Sequence, residues 1–344
     1  MLKSTELMKQ EKLFFTILVV TKNEEAYIGR LLETLINQDF SKDLYEIIIV
    51  DGCSSDATID IVNNYLEKYP SLIKILNNPK QTLPPGWNKG IKEALGQYIL
   101  RIDGHTEVKE NFLQSYYQAI KKEPNATCVG GIVVSKGNGF QGEVNEYVFS
   151  HPFGVGRSMF RILQNAWEGY TTTVPYAAYK KEVFEEVGLF NESLKRNEDI
   201  EFHQRVKKMG GSFFLTTSIQ STYYVRDSIL GLIKKSMGDG TWSMIANRVT
   251  PGSLSLFKLI PLIAFLMANL MIILSFFYSN IFYVLLGCIG LYFLMAFICS
   301  LRLVKNKGLR FLVPCIFTFF CLHFSRGLGS FIAFFKKEFW KLDT

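Results

Sequence analysis

The sequence predicts an α/β domain with a mostly parallel central sheet, followed by a helical region that crosses a membrane. Over the first 215 residues, short β-branched runs alternate with helical patterns, which is typical of strands joined by crossover helices. From Leu259 to Leu301 there is no Asp, Glu, Lys or Arg, a run of 43 residues. An uncharged run of that length exceeds what one core helix of a soluble domain can use, so it indicates membrane spans.

The elements of the α/β domain follow from the apolar runs and from the capping residues between them. The runs are unbroken rather than alternating, as expected for strands that helices cover on both faces. The expected strands are Phe14–Val20, Ile47–Val50, Ile73–Leu76, Tyr98–Ile102, Thr127–Val134 and Ser212–Leu215. The expected helices are Glu24–Asn37, Ala57–Tyr69, Gly86–Leu95, Phe112–Lys122 and Asp199–Met209.

Length and charge predict the membrane region. A span needs about 20 apolar residues, so the uncharged run holds two helices, at about 259–279 and 281–301. The basic loop that follows, from Arg302 to Arg310, is cytoplasmic by the positive-inside rule. Because two spans separate that loop from the α/β domain, the domain is expected in the cytoplasm as well.

A third apolar stretch, at about 311–335, leaves two alternatives open. Arg326 interrupts it, and it either spans once or re-enters through a break at Gly327–Gly329. The predicted organisation is a cytoplasmic domain at 1–225, an amphipathic interfacial linker at 226–254 and a transmembrane region at 255–344.

The distribution of charge excludes a nucleic-acid partner. Nine basic and two acidic residues follow Leu254, and their difference equals the whole net charge of +7. The α/β domain and linker are therefore neutral, whereas a protein that tracks a phosphate backbone needs a basic surface.

Polar residues follow three of the predicted strands, where ligands of parallel sheets bind. Strand one ends in Thr21-Lys22-Asn23-Glu24, and Asn23 is a natural helix N-cap. Asp51 and Asp103 each come directly after an apolar strand. Capping explains Asn23, but it does not explain two acids at two strand ends. The pattern therefore predicts a shared polar ligand at this edge.

The triplet Asp103-Gly104-His105 suggests a cation. Residues two apart in an extended segment project to the same side, so the carboxylate and the imidazole would converge. One carboxylate and one imidazole suit Mn²⁺ or Mg²⁺ completed by phosphate oxygens and water. Gly104 allows a diphosphate to approach the backbone.

Two common phosphate-binding motifs are missing. The sequence has no GxGxxG after the first strand and no GxxxxGK[ST], so dinucleotide-binding and P-loop proteins are disfavoured.

The chain resembles family 2 glycosyltransferases of the GT-A fold, in particular the membrane-attached, succinoglycan-biosynthesis type. Over roughly residues 15–242, five motifs follow the order of that family. They are 20–25 as the opening nucleotide loop, 51–56 as DGxSxD, 88–90 as N-x-G, 103–105 as DxD and 197–199 as the ED motif. The resemblance implies a GT-A nucleotide-diphospho-sugar transferase fold.

The resemblance also implies the reaction and its residues. The chain would be an inverting hexosyltransferase that moves a sugar from a nucleotide diphosphate, expected to be UDP, to a saccharide linked to polyprenyl diphosphate. The setting would be exopolysaccharide or surface-glycan synthesis at the inner membrane. Asp199 is expected as the catalytic base, with Glu198 beside it. The nucleotide-sugar would contact Thr21, Asn23, Glu24, Asp51, Asn88, Lys89, Arg101 and Asp103, the metal would bind Asp103 and His105, and the acceptor side would include Trp167, Tyr170 and Tyr176.

The chain departs from the family pattern in two places. His105 replaces the last Asp of DxD, which changes one metal ligand and leaves the choice of metal open. The QxxRW motif of processive members is absent, which disfavours a polymerising synthase, and the corresponding stretch, Gly231–Trp242, is interpreted as an interfacial helix.

Two rival functions remain. One is transfer directly onto polyprenyl phosphate. The other is an inactive membrane scaffold, which is disfavoured because Asp51, Asp103, His105 and Asp199 are all present.

Overall fold

The computed structural model describes residues 13–341, and its centre is a nine-stranded sheet. The strand order is β3-β2-β1-β4-β8-β6-β9-β5, and β7 pairs with β9 outside this path. The strands are β1 Phe15–Thr21, β2 Tyr45–Asp51, β3 Ile73–Asn77, β4 Tyr98–Asp103, β5 Glu107–Val108, β6 Cys128–Lys136, β7 Glu168–Thr171, β8 Ala178–Lys180 and β9 Phe213–Tyr224.

The sheet is mixed. Strands β3, β2, β1 and β4 are parallel, and they correspond to the first four predicted strands. Beyond β4, strand β8 is antiparallel to both β4 and β6, and β5 and β7 are antiparallel to β9. The α/β class is therefore confirmed, while the antiparallel part is larger than expected. Strands β5, β7 and β8 have two to four residues each, too short to show a period in the sequence.

The register of the parallel strands brings three polar strand ends level. Thr21 at the end of β1 pairs with Asp51 at the end of β2, and Val20 pairs with Asp103 at the end of β4. Asp51 and Asp103 therefore flank β1 at the same edge of the sheet, as the sequence predicts.

Fourteen α-helices lie within the described residues. They are α1 Ile28–Ile36, α2 Thr58–Lys68, α3 Leu83–Glu93, α4 Phe112–Lys122, α5 Gly139–Ser150, α6 Pro152–Val155, α7 Met159–Ile162, α8 Val183–Glu186, α9 Glu198–Lys208, α10 Ile229–Val249, α11 Leu256–Ser275, α12 Ser279–Lys307, α13 Leu312–Ala333 and α14 Lys337–Trp340. Short 3₁₀ turns at Lys42–Leu44 and Leu309–Phe311 complete the list.

Helix α3 packs directly on strand β1 because two of its residues have no side chain. A Cβ atom at Gly86 would lie 2.6 Å from Val20 Cγ1, and one at Gly90 would lie 2.9 Å from Leu18 Cδ2. Both distances are shorter than van der Waals contact. The glycine of the Asn88–Gly90 motif therefore has a packing role in this fold.

The chain forms two compact units. Among the described residues, the first comprises 13–134 and 163–223, and the second comprises 135–162 and 224–341. The domain boundaries expected from the sequence, at 225 and 254, stay predictions. Residues 135–162, which hold α5 to α7, group with the C-terminal helices.

Three helical stretches of the second unit are long and apolar enough to cross a membrane. They are Leu256–Ser275, Ser279–Lys307 and Leu309–Ala333. The second extends six residues beyond the predicted end at 301, so Arg302 and Lys305 lie on a helix rather than in a loop. The third continues through Gly327 and Gly329 without a break. The break that one of the two alternatives required is therefore not present.

The predicted linker folds as helix α10, which packs closely along α13. A Cβ atom at Gly240 would lie 2.9 Å from the Ser330 amide nitrogen, and Thr241 Oγ1 donates a 2.8 Å hydrogen bond to the Gly329 carbonyl. Small residues on both helices allow this close approach.

Candidate active site

The loops after β1 and β2 hold each other through side chain–backbone hydrogen bonds. The Asn23 amide donates to Ser54 Oγ at 2.9 Å, and Asn23 Oδ1 accepts a 2.8 Å bond from the Ser55 amide. Asn23 has φ +55°, a left-handed conformation that Asn tolerates better than most residues. The Glu24 amide donates to Thr58 Oγ1 at 2.8 Å. Asn23 therefore shapes the loop that was expected to hold a nucleotide.

Asp51 is buried, and both of its carboxylate oxygens accept bonds from Ser54. The Ser54 hydroxyl donates to Oδ1 at 2.6 Å and the Ser54 amide donates to Oδ2 at 3.0 Å. A carboxylate oxygen has two lone pairs, so each can accept a further bond from a ligand. Ser54 orients Asp51, and sequence reasoning did not assign it a role.

A pocket of about 250 Å³ opens at the three strand ends. Thr21 in its wall is 2% exposed, and its hydroxyl has no hydrogen-bond partner among the described residues. A buried hydroxyl without a partner is costly, so a ligand in this pocket would gain from bonding to it. The lining residues are Val20, Thr21, Lys22, Glu24, Gly52, Asn78, Gln81, Thr82, Leu83, Asp103, Gly104 and His105.

His105 lies against Glu24 in the same pocket. Its Nδ1 atom is 3.0 Å from Glu24 Oε1, so Nδ1 carries the proton and Nε2 is the basic nitrogen. Metal-binding histidines commonly donate their other ring N–H to a carboxylate in this way. This chemistry fits a divalent cation at Asp103 and His105. No group of three His, Cys, Asp or Glu side chains that could hold a metal occurs within residues 13–341, so a diphosphate or water would have to supply the remaining ligands.

Arg101 joins the site to the ED motif. It lies two residues before Asp103 on β4, so both side chains project to the same side of the strand. Its Nη1 atom lies 3.2 Å from Glu198 Oε1, and its Nη2 atom lies 3.4 Å from Asp199 Oδ2. The guanidinium was expected at a diphosphate, but here it pairs with the two carboxylates.

Two aromatic rings hold this guanidinium. Arg101 Cζ is 4.9 Å from the centre of the Trp87 ring and 5.5 Å from that of Phe190. Arg101 is 9% exposed, so its charge is attracted to the carboxylates with little screening by water. Trp87 and Phe190 are thus site residues that the sequence did not reveal, because they lie 14 and 89 positions from Arg101.

The two carboxylates of the ED motif differ in environment. Glu198 is buried, and desolvation, followed by the negative charge of Asp199, raises its pKa to about 7. The Asp199 side chain is 33% exposed and so remains open to a substrate. Asn197, with φ +59°, directs the chain into α9 just before them. A buried carboxyl with a raised pKa and a solvent-reachable carboxylate therefore stand side by side, which suits Asp199 as a general base.

Asn88 and Lys89, both on α3, bond to protein groups outside that helix. The Asn88 amide donates to the Phe190 carbonyl and accepts from the Phe190 amide, both at 2.9 Å. Lys89 Nζ donates to the Asn77 carbonyl at 2.6 Å. Asn88 therefore fixes the segment that carries Phe190 against Arg101. Neither residue lines the pocket, and their nucleotide contacts stay predictions.

The expected acceptor residues lie at different distances from the strand ends. Tyr176 is nearby, since it accepts a bond from Thr106 Oγ1 at 3.1 Å. The Tyr170 hydroxyl donates to Glu123 at 2.8 Å, and Tyr170 pairs with Phe214 on β9. Thr222 pairs with Glu107 beside the pocket. It lies eight positions along β9 from Phe214, which corresponds to roughly 26 Å of strand.

Trp167 contacts β9 at a position between Phe214 and Thr222. Its carbonyl accepts a 2.9 Å bond from the Thr217 amide, three residues along β9 from Phe214. The structure thus brings Tyr176 into contact with Thr106, the residue after His105, and leaves Tyr170 farther along β9. Acceptor roles for all three stay predictions.

Comparisons with known proteins show the family of the chain. The family model described as "Glycosyl transferase family 2" matches residues 16–188. A dolichyl N-acetyl-glucosaminyl phosphate diacetamido-dideoxy-glucuronosyltransferase of Methanococcus voltae is 34% identical over 66% of this chain and 72% of its own. The succinoglycan biosynthesis protein ExoA of Rhizobium meliloti is 26% identical over 69% of this chain and 72% of its own.

A solved structure of similar fold covers nearly the whole chain. The mannosyltransferase PcManGT of Pyrobaculum calidifontis, in complex with GDP-Man and Mn²⁺, superposes with a TM-score of 0.60. The match covers 94% of this chain and 87% of that one at 16% identity, so it shows likeness of fold.

Proposed function

From the premise that this chain belongs to glycosyl transferase family 2 and is a glycosyltransferase, we propose that it transfers a sugar from a nucleotide diphosphate to a lipid-linked glycan, with inversion. The observation that carries the proposal is the grouping of Asp103, Arg101 and Asp199 beside the pocket at the strand ends. A donor in the pocket would present its sugar to the carboxylate from the exposed side.

Each residue has a separate role in the proposed reaction. Asp199 takes the proton of the acceptor hydroxyl as that oxygen attacks the anomeric carbon, while the bond to the diphosphate breaks. Arg101 holds Asp199 in place. Asp103 and His105 would hold a divalent cation, which when bound neutralises charge on the leaving diphosphate. Thr21, Glu24 and Asp51 line or support the pocket and are proposed to bind the nucleotide.

Three facts support a membrane acceptor and an inner-membrane location. Within residues 13–341, three helices are long and apolar enough to span a membrane. One relative is named for a dolichyl-linked acceptor, and another for succinoglycan synthesis. Because a polyprenyl diphosphate saccharide cannot leave the bilayer, its transferase has to work at the membrane. We place the first unit in the cytoplasm.

The first test is donor turnover. Membranes containing the full chain are given a panel of UDP- and GDP-sugars with Mg²⁺ or Mn²⁺ and lipid extract. We expect metal-dependent release of one nucleoside diphosphate with a sugar-labelled lipid, and Asn at position 199 should slow it by about 10² to 10⁴.

Three results would contradict this proposal. Turnover that survives Asp199→Asn means that another group is the base. No turnover of any donor, with nucleotide still bound, would favour the inactive scaffold. Label on polyprenyl phosphate itself, rather than on a saccharide carrier, would favour the direct polyprenyl-phosphate transferase.

A further inference from the structure

Three polar side chains form a hydrogen-bonded chain next to the ED motif, within the first unit. His203 lies four residues after Asp199 on α9 and is 2% exposed. Its Nδ1 atom is 2.7 Å from Thr173 Oγ1, and its Nε2 atom is 2.8 Å from the Tyr179 hydroxyl oxygen. A hydroxyl can donate or accept, so each ring nitrogen has a suitable partner. We call Thr173, His203 and Tyr179 the histidine network.

The histidine network joins helix α9 to strand β8. Tyr179 is the central residue of β8, is 1% exposed, and pairs with Ile99 of β4. Arg101 lies two residues after Ile99 on β4. Opposed residues of an antiparallel pair, and residues two apart on one strand, project from the same face of a sheet. Tyr179 therefore lies on the face of the sheet at which Arg101 meets Asp199.

Tyr179 also lies near the ion pair of Arg101 and Asp199. Burial raises the pKa of the Tyr179 hydroxyl well above its ordinary value, and the Arg101 guanidinium opposes this shift only in part. The hydroxyl therefore stays protonated and can donate to His203 Nε2. The centre of the Tyr179 ring is 6.2 Å from that of Phe190, the ring that flanks Arg101. The histidine network thus includes a residue of α9 and reaches Arg101 through β4 and Phe190.

The distance between Arg101 and Asp199 depends on where α9 lies against the sheet. Their 3.4 Å separation is already long for a hydrogen bond, so a small displacement of α9 would break the contact. We propose that His203 is a positioning residue, which holds α9 against β8 so that Asp199 meets Arg101. This role rests on the proposed function, in which Asp199 is the base. Misplacing a reacting group by about 1 Å can slow an enzyme about 10²-fold.

Apolar packing also holds α9, so a purely stabilising role is the alternative. The ring of Phe202, next to His203 in the chain, stacks on Phe184 with 5.2 Å between the ring centres. A bond that only stabilises the fold changes the fraction of folded molecules, but not the rate of each folded molecule or the pKa of its base. The rate per folded molecule and the acid limb of the pH–rate profile therefore separate the two roles.

The test compares two changes of a buried tyrosine to phenylalanine. Tyr179→Phe removes the hydroxyl that bonds to His203 and keeps the ring. Tyr45→Phe is the matched control, because Tyr45 is also 1% exposed and its hydroxyl donates a 2.9 Å bond to the Leu35 carbonyl. Tyr45 is the first residue of β2, at the opposite end of that strand from Asp51.

Both variants are purified as the full chain in a neutral detergent, and the folded fraction is measured by thermal unfolding. The transfer rate is measured from pH 5 to 9 at saturating donor, with a fixed amount of the lipid extract that supports turnover by the wild-type chain. We expect Tyr179→Phe to lower kcat about three- to tenfold, the equivalent of one hydrogen bond, with little change in the KM of the donor. Its acid limb should move to higher pH, because Asp199 loses part of its pairing with Arg101. Tyr45→Phe should keep the wild-type kcat and acid limb.

Substitutions of His203 add a rescue to this comparison. His203→Leu removes both bonds and should lower kcat by more than Tyr179→Phe does. His203→Gln can still donate and accept, so it should recover part of kcat at the same folded fraction. Where His203→Leu does not unfold cooperatively, Thr173→Val serves as the second bond-deleting variant, because it removes one hydroxyl and keeps the shape of the side chain.

The outcomes separate the positioning role from the proposed function. Tyr179→Phe that matches Tyr45→Phe in kcat, a lower kcat with the acid limb at the wild-type pH, or no recovery in His203→Gln would each overturn the positioning role. Asp199→Asn is measured on the same preparation. Turnover that survives Asp199→Asn contradicts the proposed function, whereas turnover lost there, with Tyr179→Phe equal to its control, contradicts the positioning role alone.

Discussion

At the scale of single residues, the main feature of the ED motif is its pairing with Arg101. A buried guanidinium between two aromatic rings pairs with a buried and a half-buried carboxylate. A lysine could supply the charge but has only one ammonium group and no planar fork to reach both partners. We therefore propose that Arg101 positions Asp199 and favours its ionised form.

We expect Arg101→Lys to lower kcat about tenfold, the equivalent of one lost charge-assisted bond, with little change in KM. The acid limb of the pH–rate profile should move to higher pH, because the carboxylates lose their best-placed counter-charge. The measurement is transfer rate from pH 5 to 9 at saturating donor. A lower rate with an acid limb at the same pH would show that Arg101 contributes packing and does not affect the pKa of the carboxylates.

Glu198 should make the protein less stable as the pH rises. Its pKa is about 7 in the folded chain and 4.5 in the unfolded chain, so the folded state holds the extra proton between these values. The loss of stability grows from about pH 4.5 and is complete above about pH 7, on the order of 3 kcal/mol.

Glu198→Gln should remove this slope, since its amide cannot ionise. The check is the unfolding temperature of both proteins in detergent from pH 5 to 8. Parallel curves would show that Glu198 has no raised pKa. Asp199→Gln does not serve as a control, because it removes the negative charge that helps to raise the pKa of Glu198. Glu67→Gln, at an exposed position of α2, is used instead.

At the scale of elements, the sequence predicts what repeats locally and misses what depends on distant partners. Unbroken β-branched runs located the four parallel strands, and the acids directly after them located Asp51 and Asp103. The bond of Asn88 to Phe190 joins positions 102 apart, and no local pattern reports it. Short polar strands such as β7 form only because β9 offers them an edge.

The α10–α13 helix pair depends on glycine at its closest point. We expect Gly240→Ala to destabilise the chain by about 1–3 kcal/mol, because its Cβ would press on the backbone of α13 near Arg326 and Ser330. Gly287→Ala is the matched control, since a Cβ there would meet nothing within 4 Å. The measurement is thermal unfolding in the same detergent. Equal effects of the two changes would contradict close packing at Gly240.

At the scale of the whole molecule, the orientation in the membrane can be tested with the chain's own cysteines. Cys53 is exposed in the first unit, and Asn280 lies in the first turn of α12, just after the connection from α11. In intact cells, we expect a membrane-impermeant maleimide to leave Cys53 unlabelled until the cells are permeabilised. Asn280→Cys, in a Cys53→Ser background, should react from outside. Labelling of Cys53 in intact cells would reverse the proposed topology.

Residues 135–162 group with helices that are made much later. Gln141 bonds to Thr318 across 177 positions, and His323 bonds to the Phe153 carbonyl across 170. During translation, the apolar side of α5 therefore emerges long before α13 exists to cover it. A nascent chain stalled, or cut, near residue 225 would carry that side uncovered, and a chaperone or the lipid surface would have to shield it until synthesis reaches the last long helix.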